Sequence, residues 1–393
     1  MTERAPAPLR GPLFGSYAPD EVGWLLTDLS GTALEAPTEE REEAVQSGGA
    51  HYAESLPREY RPDAEYLELY HAALAATATR LARAVATVTE LVLRERGRDA
   101  VLVSLARAGT PVGILLRRWA ASRHGLELPH YAVSIVRGRG IDSLALRYLA
   151  EHHDPARVVF VDGWTGKGAI ARELATALAA HRREAGVRFD PDLAVLADPG
   201  RCARTFGTRA DWLVASACLN STVSGLVSRT VLNPRLLGPR QYHGAKFYAE
   251  LAGDDVSNGF LDAVTARFGE VTAAVPPADR TPDMAGRVAV ERIAAVYGIE
   301  DVNLVKPGVG ETTRVLLRRV PWKVLVHPDA PAGDLAHVRL LARRHGVPVE
   351  EVDPAAARAA GRGPGRRPAR PGAPGPSTGP AAAAPAWSPR PRA

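Results

Sequence analysis

Between residues 64 and 96 the apolar positions fall three and four apart, at Leu67, Tyr70, Leu74, Leu81, Val85, Val88 and Val92, and Gly97 follows them. That period predicts one long helix, closed by a glycine C-cap and packed across a sheet. Beyond it the pattern changes. Short unbroken apolar runs near 101–105, 130–136, 157–161 and 193–197 alternate with helical spacing near 112–123, 143–152 and 167–184. Buried strands alternating with helices predict a parallel α/β sheet, whose ligands lie beyond the carboxyl ends of the strands. From Asp283 a smaller α/β unit is predicted, with helix 285–297, strand 302–305, glycine turn 307–310, helix 311–319, strand 323–326, helix 335–345 and strand 347–352. The chain divides into an irregular polar segment (1–62), a main domain with a middle extension (63–282), the second unit (283–353) and a tail (354–393).

Charge sharpens the last boundary. After Asp353 there are seven arginines and no acid, so of the net +5 the rest of the chain keeps −2. The basicity belongs to a Pro/Ala/Gly/Arg-rich tail that buries too little apolar surface to order itself, and it reads as a solvated, disordered extension. Cys202 and Cys218 are the only cysteines, which excludes a disulfide framework and metal-ligand spacing. No run approaches about 18 consecutive apolar residues and the amino terminus lacks an apolar signal core, so a cytoplasmic chain that binds no membrane is expected.

Chemistry concentrates where predicted strands end. The segment Arg157–Ile170, RVVFVDGWTGKGAI, places Asp162 at a strand's carboxyl end, followed by a turn with Thr165, Gly166, Lys167 and Gly168. Backbone N–H groups, a hydroxyl and a helix N-terminus together favour a phosphate. A Walker A loop is excluded, because Val161 holds its first glycine position and Gly168 its Ser/Thr position. Upstream, VLVSLARAGTPVG puts Arg107, Ala108 and Gly109 at a second strand-to-helix turn, and Arg137 to Gly140 between the two reads as a mobile basic flap. Lys167 either neutralises phosphate or projects into water. Asp198, ending the strand 193–197, is a candidate to help hold a base or a metal. The cluster Gln46, Ser47, His51, Tyr52 and Glu54 either touches substrate or satisfies backbone groups. In the middle extension Ser224, Arg229, His243 and Lys246 are either phosphate or sugar ligands or caps. Cys218 with His243, oriented by Asn220 or Asp254, forms an alternative thiol-protease arrangement.

The two glycine turns and the cations between them resemble type I phosphoribosyltransferases. That resemblance implies that Arg107, Ala108 and Gly109 hold pyrophosphate and that Thr165 to Gly168 hold a 5′-phosphate. It also implies that Asp162 holds ribose hydroxyls and Mg²⁺, that Arg137 or Arg139 closes over the leaving group, and that phosphoribosyl diphosphate is the donor. Asp162 is followed by Gly163 where that family carries a second acid. The run KPGVGETTRVLLRRVPW resembles pelota-type RNA-binding domains, which implies RNA contacts by Gly308, Glu311, Arg314, Arg318 and Arg319. Gly310 stands where a base-reading Asn is expected, so backbone contacts are implied rather than base reading. A third glycine of a dinucleotide fingerprint is missing at Thr313. In their order along the chain, the motifs resemble the phosphoribosyltransferase–pelota fusion family of bacterial tellurium-resistance and stress operons, some of whose members carry a StiP cysteine protease label. Three readings follow: a phosphoribosyltransferase-like enzyme, a non-catalytic RNA-binding or regulatory protein that senses a phosphorylated sugar, and a cysteine protease.

Overall fold

The computed structural model describes residues 5–36, 53–59, 61–272, 274 and 278–352. A six-stranded sheet forms its centre. Its strands are β1 (Gly23–Leu25), β2 (Val101–Leu105), β3 (His130–Val133), β4 (Val158–Trp164), β5 (Leu193–Ala197) and β6 (Phe206–Thr208), in the order β1-β3-β2-β4-β5-β6. Every neighbouring pair is parallel. Helices cover both faces, as parallel strands buried on both sides require. Helices α1 (Ala64–Arg96) and α2 (Thr110–His124) pack with one set of core residues, and α3 (Ser143–His152) and α4 (Ala169–Ala185) with the other. Alternation within β2 shows the division, since Leu102 joins the first set and Val101, Val103 and Leu105 the second.

Helix α1 begins where Asp63 accepts from the Tyr66 N–H and ends at Gly97, whose φ of 86° suits glycine. Strand β2 continues through α2 to β3 on one side, while β4 continues through α4 to β5 on the other. The strand order therefore reverses between β2 and β4, and the turns after these two strands flank the crevice where a doubly wound sheet takes its ligands.

The amino-terminal segment is less irregular than its polarity suggests. It supplies the edge strand β1 and buries Phe14, Tyr17 and Trp24 in the main core. The second unit comprises α6 (Ala285–Val296), α7 (Val309–Leu316), β7 (Val324–Val326), α8 (Ala332–Arg344) and β8 (Val349–Glu351), with α5 (Ser257–Thr265) preceding it. Strands β7 and β8 pair in parallel. The expected strand 302–305 does not form. Its carbonyls at Val302 and Val305 instead accept from the Lys167 ammonium at 2.8 and 2.7 Å. Leu316, Val324, Val338 and Leu341 of this unit belong to the same apolar cluster as α1 and α2, so the two units share a core. Among the described residues no helix is long and apolar enough to cross a membrane.

Two buried imidazoles give the fold a pH dependence. His130 Nδ1 donates to the Glu21 carbonyl (2.7 Å) and its Nε2 meets Ser104 Oγ (2.8 Å), and His337 Nε2 meets Thr313 Oγ1 at 2.6 Å. Burial pushes each down to about 4 from the ordinary 6.5. The unfolded chain takes up protons that the native state refuses, so this stability is full above pH 6.5 and is lost as pH falls towards 4. The loss is on the order of 3 kcal/mol per histidine. The urea midpoint is expected to fall steeply across that window and less steeply in His130→Gln or His337→Gln. A midpoint constant from pH 7 to pH 4.5 in the unaltered protein contradicts this.

Candidate functional site

The crevice between the β2 and β4 turns is not open to solvent, because the second unit sits in it. Gly166 faces the Pro307 carbonyl, and a Cβ there would lie 2.7 Å from that oxygen. Gly310 of α7 lies against the Trp164 indole, where a Cβ would come within 2.6 Å of the ring. The Arg314 guanidinium sits over the same indole at 5.1 Å from its centre. Asp211 fixes the start of α7 by accepting from the Val309 N–H at 3.0 Å.

This docking explains the state of the β4 turn. Asp162 is half-buried and accepts from the Gly163 N–H at 2.8 Å; burial pushes its carboxyl up to about 6. Lys167 neither faces a phosphate nor projects into water. It is buried against the carbonyls of Val302 and Val305, and burial, with Lys306 and Arg137 nearby, pushes it down to about 7. Thr165 donates its N–H to the Ala197 carbonyl, and Gly168, at φ +67°, starts α4 beside the Cys202 sulfur. The expected phosphate cradle is thus lined by the chain's own residues.

Arg107 is 5% exposed and lies 3.5 Å from Glu59, with Val227 O as a long acceptor. Burial alone would raise Glu59, but the Arg107 guanidinium and bonds from Ser221 hold it below the ordinary carboxylate range. Gly109 has no room for a side chain, since a Cβ would lie 2.3 Å from the Val161 carbonyl; with Ala108 it forms a tight turn into α2. The expected basic flap is a short antiparallel hairpin whose Gly138 and Gly140 N–H groups donate to Glu173 of α4 at 2.8 and 2.9 Å. There Arg137 binds the Asn303 side chain, and Arg139 is exposed.

Asp198 is fully buried and accepts from the N–H groups of Cys202 and Ala203 while pairing with Arg209. It builds its own turn and presents no free oxygen row to a base or metal. Among the described residues no group of three or more His, Cys, Asp or Glu side chains gathers as a metal site.

In the middle extension the small hydroxyls act mainly on backbone. Ser228 donates to the Arg229 carbonyl and accepts from the Lys246 N–H, and Ser224 is buried, its N–H donating to the Ser221 carbonyl. Arg229 donates to the Ser55 carbonyl, and Lys246 pairs with Glu35. Cys218 and His243 have separate partners. The Cys218 carbonyl accepts from Tyr66 OH, and its 1%-exposed thiol is pushed by burial up to about 12. His243 Nδ1 meets Ser134 Oγ at 2.8 Å, and its N–H donates to Asp142. Asn220 accepts from Arg318 at 3.0 Å rather than orienting an imidazole.

Of the residues read as RNA contacts, Arg314 and Arg318 point into the main domain, Gly308 borders Asp211, and Arg319 is exposed. Glu311 begins α7. Gln46, Ser47, His51 and Tyr52 lie outside the described residues; Glu54 accepts, through its carbonyl, from Asn233. The sequence does not mark Glu59 as the partner of Arg107 and Ser221, or Trp164 as the partner of α7, because those neighbours lie far along the chain.

The chain matches the family model described as tellurite-like stress resistance cysteine protease StiP over residues 15–265, and the PELOTA RNA-binding domain over 284–361. It is 35% identical over 357 residues to the cysteine protease StiP of Acinetobacter baylyi (strain ATCC 33305 / BD413 / ADP1), covering 86% of this chain and 90% of the relative. A solved chain, Burkholderia pseudomallei K96243 sphingosine-1-phosphate lyase Bpss2021, aligns with a TM-score of 0.19 at 13% identity, over 72% of this chain and 74% of that one, too weak for any inference about fold. These matches overturn the expected phosphoribosyltransferase activity in favour of a cysteine-protease type of chemistry. The filled cradle at Gly166 and Lys167 agrees physically with that correction.

Proposed function

The chain belongs to the StiP family of tellurite-like stress resistance cysteine proteases and carries a pelota-like carboxyl-terminal domain, and on that premise we propose that it is a thiol-dependent hydrolase acting in stress resistance, with Cys202 as its nucleophile. The observation that supports Cys202 is its position. It lies at the carboxyl edge of the sheet, partly exposed, with its sulfur against Gly168 at the N-terminus of α4, near Arg172 and Arg209. A helix N-terminus and guanidinium groups stabilise a thiolate. Burial still holds the resting thiol above its ordinary value, so hydrolysis requires substrate or an opened second unit to shift that balance. Cys218, sealed under Tyr66, is buried, and among the described residues burial dominates its thiol.

The test is peptide or casein hydrolysis together with the iodoacetamide labelling rate as a function of pH. Cys202→Ala is expected to abolish turnover, and Cys218→Ala to leave it within about twofold while removing only slowly labelled thiol. The opposite pattern moves the chemistry to Cys218. Equal hydrolysis in both variants removes the thiol-dependent reading.

A further inference from the structure

Where the turn after α7 meets the main domain, a cavity of about 60 Å³ remains. One water needs roughly 10–15 Å³ measured this way, so the space suits one phosphate group. Its walls are unbalanced in charge. Among the described residues, Arg58, Arg107, Arg229 and Arg318 line it, and Glu59 is the one carboxylate that does. Arg107 is 5% exposed, and its Nε finds no hydrogen-bond acceptor among the described residues. Arg314 lies just behind and adds to the field: burial first, and then Arg314, Arg107 and Arg229, push Arg318 well below its ordinary value. Clustered buried cations in low dielectric are costly unless an anion neutralises them, and guanidinium forks match oxyanion geometry.

We propose that this cavity binds a small oxyanion, a phosphate group either free or carried on a monoester, through Arg107, Arg229 and Arg318. Its occupancy latches the second unit onto the main domain. Arg107 comes from the β2 turn, Arg229 from the middle extension and Arg318 from the turn that follows α7, so an anion between them joins both units. The chemistry required is that of a single oxyanion and not of a sugar diphosphate donor, and it does not depend on which cysteine is the nucleophile. Arg58, which is exposed, marks the side from which the ion enters.

Phosphorus NMR of inorganic phosphate titrated with the full chain is expected to show saturable broadening that sulfate competes away. Phosphate should also raise the melting temperature beyond chloride at matched ionic strength. Arg107→Gln and Arg318→Gln should each weaken binding about tenfold or more, since a charge-assisted bond contributes roughly 1.5–3 kcal/mol. Arg343→Gln, on the exposed side of α8, should not. Glycerol 3-phosphate binding at least as tightly as phosphate assigns a carried group, and its exclusion assigns the free ion; both keep the site. The absence of saturable broadening with the unaltered protein at millimolar phosphate overturns the proposal whether or not the variants fold. Binding that fails to slow proteolysis between 266 and 284 overturns the latch.

Discussion

Asp198→Ala is expected to destabilise the protein by about 3–5 kcal/mol, the usual cost of removing one partner from a buried ion pair. The carboxylate is fully buried, and the residue losing it, Arg209, keeps only a small exposed fraction. Burial pushes Asp198 up to about 6, so at pH 7.5 it is ionised and paired. The same two oxygens accept from the N–H groups of Cys202 and Ala203, at 2.9 to 3.0 Å, and alanine leaves those donors without their acceptor. The turn they define places the Cys202 sulfur against Gly168. Iodoacetamide should therefore label Cys202 faster in the variant even where the protein remains folded. Pairing Asp198→Ala with Arg209→Met should cost less than the sum of the two single changes, because the second removes the stranded charge. Urea denaturation at pH 7.5 measures all three. A loss under 1 kcal/mol for Asp198→Ala would mean that water replaces the carboxylate and that this turn does not depend on it.

How much of this was legible in the sequence follows from how local each signal is. Helix α1 runs from Ala64 to Arg96 and β5 from Leu193 to Ala197, as their patterns predict, because a 3.6-residue period and an unbroken apolar run are properties of adjacent residues. Strand β1 is not legible. Three residues cannot display a period, and its partner β3 lies more than a hundred residues on. The run 302–305 looks like a strand, yet the group that captures its carbonyls is Lys167 from another domain. The turns after β2 and β4 are legible in the sequence, but what fills them is not. Glycine, threonine and lysine in a strand-to-helix turn are the composition of an anion cradle, and equally of a turn that accepts a neighbouring backbone. Gly166 against Pro307 is the second case. Arg314 in α7 and Arg318 just beyond it are four residues apart, but nothing local says whether they meet RNA, solvent or protein.

The second large effect is expected from Gly310→Leu, which should raise the population in which the two units part. Gly310 lies in α7 with no intervening atom before the Trp164 indole, and a Cβ would stand 2.6 Å from Cε2 and 2.8 Å from Nε1. The indole has little freedom to yield, with the Arg314 guanidinium on it and the β4 backbone hydrogen-bonded in the sheet. Overpacking of this kind costs about 1–3 kcal/mol, which multiplies the open population roughly 5- to 150-fold. Opening releases several contacts together: Lys167 loses the Val302 and Val305 carbonyls, Arg318 loses Asn220, and Asp162 loses the nearby Arg314 charge. Lys167, pushed down to about 7 while buried, should then return towards its ordinary 10.5. Limited proteolysis between residues 266 and 284 should accelerate by the same factor as the open population, and thermal unfolding should divide into two transitions. Gly310→Ala, with the same Cβ and nothing beyond it, should give a smaller change in the same direction. If Gly310→Leu is cleaved at the unaltered rate and melts in one transition, α7 does not hold the units together and the closed crevice must depend on the shared apolar core instead.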